Sequence, residues 1–472
     1  MSRAADSLAA PTGRIDPAPA LVISHPRLAS LARGWLWLGL LALAGSGVFA
    51  VLLVLSRTPQ LNQWLPVADF FRVALIVHVN LSVLVWFVAL AGLLWSISGS
   101  PRAPGLAWLA LCLCSLGTVL MVLAPFIGRA PPIMANYIPV LDGPVFLSGL
   151  AVFGLGAAAL VLRGLIAARP TGPGLAEEGA LRFGFNASVV AAAVAVVSFG
   201  ASLLLVPRSL DALTYYEILF WGGGHALQFV WTLLMLVGWL WLAGATGAAV
   251  SLSPRLTALL LALALVSVFV TPGAYLVSSV TSVEFRLINT WAMRLGGGVA
   301  IVPIGLAVVL ALLRAGPART ASVPPLRAAR GASILRFGAG GVIGALISGN
   351  NVRIPAHYHG CIVGVTLALM GLVYLLLPRL GYRTPTGRLA FWQPVLYGSG
   401  QLLHIVGLVW SGGYGVQRKV AGSAQVLRSA SEVAGMGLMG LGGLIAIIGG
   451  VLFVVVVARS MRTRSGATGA MA

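Results

Sequence analysis

Charge is scarce in this chain. Asp, Glu, Lys and Arg together make up 8% of it, the acids number ten, and lysine occurs once, as Lys419. A soluble domain carries roughly a quarter charged residues, so a soluble globular enzyme is excluded, and the apolar content excludes a disordered or fibrous chain. The three cysteines, Cys112, Cys114 and Cys361, all lie in apolar runs, which excludes a disulfide framework. No Cys-x-x-Cys-His occurs, so the chain attaches no c-type haem covalently. Residues 1–33 lack the basic-then-apolar pattern of a cleaved signal peptide and read as a short cytoplasmic tail containing His25. The net charge of +20 comes from basic residues spread singly between apolar runs; without a basic stripe, nucleic-acid binding is not expected.

What is present is hydrophobic sequence, 59% of 472 residues. A membrane helix needs about 20 apolar residues. The chain offers about twelve such runs, at 34–56, 70–97, 105–127, 143–166, 184–206, 216–243, 256–280, 290–314, 334–349, 355–377, 391–414 and 431–458. The ninth is short and glycine-rich. The expected fold is all-α, a polytopic membrane bundle of about twelve transmembrane helices lying in the lipid bilayer. Arginines concentrate in the tails and even-numbered loops (Arg102, Arg169, Arg255, Arg327, Arg330, Arg379, Arg383, Arg388, Arg459) and are fewer in odd-numbered ones (Arg208, Arg286, Arg353, Arg418). By the positive-inside rule both termini are cytoplasmic. The division is a tail at 1–33, one transmembrane domain at 34–458 and a second cytoplasmic tail at 459–472.

Five histidines fall within these runs: His78, His225, His357, His359 and His404. An ionisable residue inside the membrane is costly and marks function by default. The second, sixth and tenth runs enter from the outer face, which puts His78, His225, His357 and His359 in their first turns. The eleventh run leaves through that face with His404 about ten residues before its end. Five imidazoles thus share one layer in the outer half of the bilayer, as metal or haem ligands would. His357 and His359, two residues apart on a helix, point about 200° apart and serve different groups. A twelve-helix transporter, with helix breaks at Gly-Gly-Gly 222–224 and 296–298, accounts for the spans but not for His-Tyr-His or the common depth.

The segment Asn351-Val-Arg-Ile-Pro-Ala-His-Tyr-His-Gly360 resembles the tenth helix of the haem–copper oxidase catalytic subunit, the family of cytochrome c oxidase subunit I and the nitric oxide reductase large subunit. The resemblance implies that His357 is the axial ligand of a high-spin haem and His359 an axial ligand of a low-spin haem. His78, in Val-His-Val-Asn-Leu-Ser-Val-Leu-Val-Trp86, resembles the second-helix histidine that completes the low-spin haem. Ile218-Leu-Phe-Trp-Gly-Gly-Gly-His225 resembles the sixth-helix segment bearing a copper ligand, which makes His225 a remnant metal ligand. Gln401-Leu-Leu-His-Ile-Val-Gly-Leu408 resembles an eleventh-helix segment with a structural histidine. Arg418-Lys419 falls where the family sets a basic pair on the haem propionates. The likeness runs through twelve helices in order, about 34–458.

The pattern also breaks. The family's copper takes two further ligands from an adjacent histidine pair on the seventh helix. This chain has no His-His, and the corresponding place falls near Pro272-Gly-Ala-Tyr-Leu-Val-Ser-Ser279. One imidazole coordinates copper or non-haem iron poorly, which counts against either metal. Phe229 stands where a tyrosine is expected, with Tyr275 as a catalytic substitute. Gln228 is not a proton-carrying carboxylate, and the eighth run has no lysine, only Arg294. Glu217 is about 12 Å along the helix from His225, and Glu284 lies in a loop. The implied activity is a bacterial inner-membrane oxidoreductase. It would take electrons from a periplasmic cytochrome c or cupredoxin-like subunit, through the low-spin haem to the high-spin haem, and reduce O2 or NO. The alternative is a non-catalytic di-haem relative that transfers electrons or binds and senses a gas.

Overall fold

The computed structural model describes residues 25–58, 68–128, 130–172, 175–318, 320–347, 351–419 and 426–462. The outer parts of both expected tails lie outside these residues. Sixteen α-helical segments compose twelve rods. They are α1 (Pro26–Arg57); α2 (Ala68–Val79) continuing through a π-helical turn (Asn80–Val85) into α3 (Trp86–Ser98); α4 (Pro104–Leu123); α5 (Pro144–Ile166); and α6 (Glu177–Leu205). Then follow α7 (Ala212–Leu219) with α8 (Trp221–Ala245), α9 (Pro254–Val268) with α10 (Val270–Val277), and α11 (Val283–Gly296) with α12 (Gly298–Arg314). The last four rods are α13 (Val323–Ala345), α14 (Arg353–Leu376), α15 (Gly387–Gly413) and α16 (Ala430–Arg462).

Among the described residues ten rods are long and apolar enough to cross a membrane. The other two, α13 and α15, have 23 and 27 residues and pack against the rest, which completes the twelve runs expected. Starts are written locally. Proline opens α1, α4, α5 and α9, where its missing N–H and fixed φ suit the first turn. The Ser253, Asp211 and Ser282 side chains accept the orphan N–H groups of Leu256, Thr214 and Phe285 at 3.2, 3.1 and 3.1 Å, as good N-caps do.

Several helices start earlier than the sequence reading, among them the fifth at Glu177, not 184, and the eighth at Val283, not 290. The first helix begins at Pro26, not 34, with His25 as its N-cap, so the expected tail at 1–33 ends in helix. The ninth begins at Val323, not 334. Arg327, Arg330 and Arg336, which lower its hydropathy, lie within the helix, and the guanidinium of Arg330 is fully buried.

These arginines and their neighbours close helix ends. The last carbonyls of a helix have no intrahelical donor and carry the negative end of its dipole. Arg163 of α5, 1% exposed, donates to Trp95 O at 3.0 Å and Ser100 O at 2.9 Å at the end of α3. Arg330 donates to Thr246 Oγ1 at 3.1 Å and Arg327 to Thr246 O at 3.2 Å, at the end of α8. Arg33 of α1 donates to Leu380 O at 3.3 Å just beyond α14. Each rod that carries a candidate ligand histidine in its first half and runs toward this arginine-rich face is thus capped by a guanidinium from another rod. Losing two buried charge-assisted bonds costs about 3 kcal/mol or more. Arg163→Ala therefore lowers the thermal midpoint of the detergent-solubilised protein sharply, while Arg102→Ala, at an exposed position, shifts it by no more than about 0.5 kcal/mol equivalent.

The α15–α16 pair is a seam of close backbone approach. A Cβ at Gly442 would stand 2.3 Å from His404 N, and one at Gly400 would stand 2.4 Å from Ala446 N. Small residues allow such contact between membrane helices, and the seam seats His404 against α16.

Candidate functional site

His78 ends α2, immediately before the π-helical turn, a feature that often marks functional positions. Its Nδ1 lies 3.0 Å from Ser46 O and 2.9 Å from Ser46 Oγ on α1. A nitrogen facing a carbonyl must donate, so Nδ1 carries the proton and Nε2 keeps its lone pair. His357 repeats the arrangement, with Nδ1 donating to Gly340 O of α13 at 2.7 Å. So does His404, with Nδ1 donating to Met439 O of α16 at 3.0 Å. A carbonyl on Nδ1 fixes tautomer and ring plane and leaves Nε2 as the ligand atom, the usual support of a metal-binding imidazole. The ring of His357 also needs Gly344 opposite it, where a Cβ would stand 2.5 Å from Nδ1.

His359 turns the other way, as the helical spacing predicts. Its ring centroid lies 5.0 Å from that of His404 on α15, and it lies within electrostatic reach of His78, His404 and Arg57. The tenth helix therefore presents one imidazole to α13 and the other to a group formed by α1, α2 and α15. His78, His357, His359 and His404 are all half-buried.

His225 is different. It is 2% exposed. Its Nδ1 lies 2.8 Å from Trp221 O one turn back, and the phenol oxygen of Tyr137 sits 2.9 Å from Nδ1 and 3.0 Å from Nε2. Both neighbouring rings cover it, with centroids at 5.0 Å for Tyr137 and 4.8 Å for Trp221. The preceding Gly-Gly-Gly is not a helix break. Each glycine faces an aromatic side chain: a Cβ would meet the Tyr275 hydroxyl at 2.4 Å from Gly222, the Phe199 ring at 2.4 Å from Gly223 and the Tyr137 ring at 2.3 Å from Gly224. Gly224→Ala accordingly destabilises by about 1–3 kcal/mol through overpacking. Gly200→Ala in α6, with nothing within 4 Å, is neutral or mildly stabilising; paired thermal melts check the contrast.

A sequence profile of cytochrome c and quinol oxidase polypeptide I matches residues 30–458. The chain belongs to this family. Relatives are diverged. A Rickettsia prowazekii (strain Madrid E) protein, "Uncharacterized protein RP382", is 28% identical over 508 aligned positions, covering 92% of this chain and 96% of that one. An Aquifex aeolicus (strain VF5) "Uncharacterized protein" is 26% identical over 358 positions, covering 75% and 86%. The protein is thus a multi-pass, all-α membrane protein of the haem–copper oxidase subunit I type.

The family binds haem, and the donor set here suits it: imidazoles from several rods, three of them with Nδ1 held by a backbone carbonyl. The donor set does not suit the family's copper. Among the described residues no group of three His, Cys, Asp or Glu side chains could hold a metal ion. Tyr275 lies against the start of α8, facing Gly222. Its hydroxyl donates to Ser198 O at 2.9 Å and lies 2.6 Å from Ser202 Oγ, and its ring packs on Phe285 at 4.8 Å, so it ties α10 to α6. Glu284 is exposed in the first turn of α11.

The basic pair, just beyond α15, meets a segment that sequence reasoning missed. Between α4 and α5 the chain forms a strap, closed by an antiparallel pair of two-residue strands, β1 (Pro132–Ile133) and β2 (Val140–Leu141). Arg418 donates to Asn136 Oδ1 at 3.2 Å; Lys419 donates to the same atom at 3.1 Å and to Met134 O. Asn136 in turn donates to Glu217 Oε2 at 2.7 Å. Burial raises the Glu217 carboxyl above its ordinary range, against the pull of Lys419, Asn136 and Arg418. Burial and Arg418 push Lys419 down to about 8, against the attraction of Glu217. From the other side Asn80 of the π-turn, 2% exposed, donates to Pro139 O at 2.8 Å. One short strap therefore touches the rod of His78, the ring of His225 and the basic pair. The available signal was a proline-rich odd-numbered loop holding Asn136 and Tyr137, neither distinctive by residue type.

Proposed function

We propose that the chain is a di-haem membrane oxidoreductase: His78 and His359 hold a low-spin haem, His357 a high-spin haem, and Arg418 and Lys419 receive propionates. Bound there, the haems would carry electrons from a donor on the outer face, a cytochrome c or cupredoxin-like protein, to O2 or NO. The observation that carries this reading is the division of the tenth helix, with His357 locked by Gly340 O on one side and His359 set beside His404 on the other. The chain's own contribution is orientation. Ser46 and Gly340 hold the Nδ1 protons of His78 and His357, so each Nε2 faces its group without rotational freedom. The basic pair at the edge offers cations to carboxylates, and the arginine distribution supports a bacterial inner membrane with both termini cytoplasmic.

The test is haem quantitation on detergent-purified protein with reduced spectra before and after CO. Two haems per chain, one of them CO-responsive, support the reading; a haem-free protein overturns it. A second reading, a non-catalytic electron-transfer or gas-binding relative, is favoured by the engagement of His225 with Tyr137. Oxygen or NO consumption with an artificial donor, at the rate of free haem or above it, separates the two.

A further inference from the structure

The family's copper and this chain's donor set disagree, and the disagreement is built from specific residues. We propose that Tyr137, held by its strap, and Trp221 close His225 off, so that this family member carries neither copper nor non-haem iron there. The inference rests on the family assignment and deepens the reading above.

The argument is geometric. The Tyr137 oxygen lies 2.9 Å from His225 Nδ1 and 3.0 Å from Nε2, a near-equidistance that in the ring plane would put it on Cε1, so the phenol covers the face of the imidazole and leaves Nε2 as a single donor. The other ring nitrogen is committed to Trp221 O at 2.8 Å. The phenol has no easy way out. Its ring lies against Gly224, the one residue type that admits it, since a Cβ there would stand 2.3 Å away. Its strap is pinned on both flanks, by Asn80 to Pro139 O and by Asn136 to Glu217, Arg418 and Lys419. The volume on the other side of the triple glycine is filled by Phe199 and Tyr275. Imidazole-binding metals of this kind ask for several N or S donors, and the described residues supply no such group. The result is an imidazole covered by the Tyr137 phenol and the Trp221 ring, with one nitrogen committed to Trp221 O.

Two measurements on the full-length, haem-loaded, detergent-purified protein test the proposal. The first is copper and total iron per chain by mass spectrometry, before and after incubation with copper and with ferrous iron followed by desalting, with haem iron subtracted. The expected result is no stoichiometric copper and no iron beyond haem. About one copper or non-haem iron per chain, lost in His225→Leu, overturns the proposal. The second is modification of His225 by diethylpyrocarbonate, followed by peptide mapping. The expected result is protection in the wild type and modification at least about tenfold faster in Tyr137→Ala, the loss of one hydrogen-bonded cover. Equal rates overturn the plug. The wild-type metal content needs no variant, so a Tyr137→Ala chain that fails to fold still leaves the proposal open to refutation. Haem is counted in the same sample: a haem-free protein overturns the functional reading, and a haem-loaded protein with a third metal overturns only this one.

Discussion

His357→Leu removes the CO response of the reduced protein and lowers haem from two per chain to one. The side chain is held by a 2.7 Å bond to Gly340 O and faces α13, away from the group that surrounds His359, so its loss leaves the other haem in place. Leucine keeps the volume and adds no polar atom, and the Gly340 carbonyl it abandons is the only local cost. The check is the reduced-plus-CO difference spectrum beside a pyridine haemochrome assay. A CO difference spectrum of wild-type size in the variant would assign the gas-binding haem elsewhere. Any electron flow to O2 or NO falls to the level of the empty membrane, because no open coordination site remains.

His78→Leu has the complementary outcome. The low-spin spectrum disappears while the CO response persists, and transfer from an external donor stops. His78 is the single histidine of the second rod. Its Ser46 contacts at 2.9 and 3.0 Å hold the imidazole in place. Removing a supporting bond rather than the ligand has a smaller effect, commonly 10–100-fold in affinity. Low-temperature electron paramagnetic resonance of the oxidised variant reads the result directly. A retained bis-imidazole signal shows that His78 is not the ligand.

The histidines were legible because a membrane makes them conspicuous. An imidazole in an apolar run has no bland reason to be there, and the two-residue spacing of His357 and His359 fixes opposite faces on any helix. The rods were legible for the same reason, since length and hydropathy define them. What the sequence hid depends on contacts between distant segments. Arg327 and Arg330 read as loop because hydropathy sees a charge and not the Thr246 oxygens that accept from it; the ninth helix consequently starts eleven residues earlier than its apolar run, at Val323 rather than 334. Tyr137 meets His225 across 88 positions, and neither residue announces the other. The triple glycine at 222–224 suggested a helix break, whereas its three faces are filled by three rings. His225 was read as a remnant metal ligand from its place in a motif, and only the packing around it shows the phenol and the indole that cover its ring.

The arginine caps carry a consequence for how the protein is made. The end of α3 waits for Arg163, 68 residues further along, and the end of α8 waits for Arg330, 84 residues further along. At a synthesis rate of about 5–20 residues per second the first of these intervals lasts roughly 3–14 s. During that time the rod has entered the bilayer without its guanidinium partner. The end of α14 waits for nothing, because its donor Arg33 was made 347 residues before. The bundle closes its early rods with later ones and its late rod with the first, so the cap of Arg33 on Leu380 O ties the two ends of the chain together.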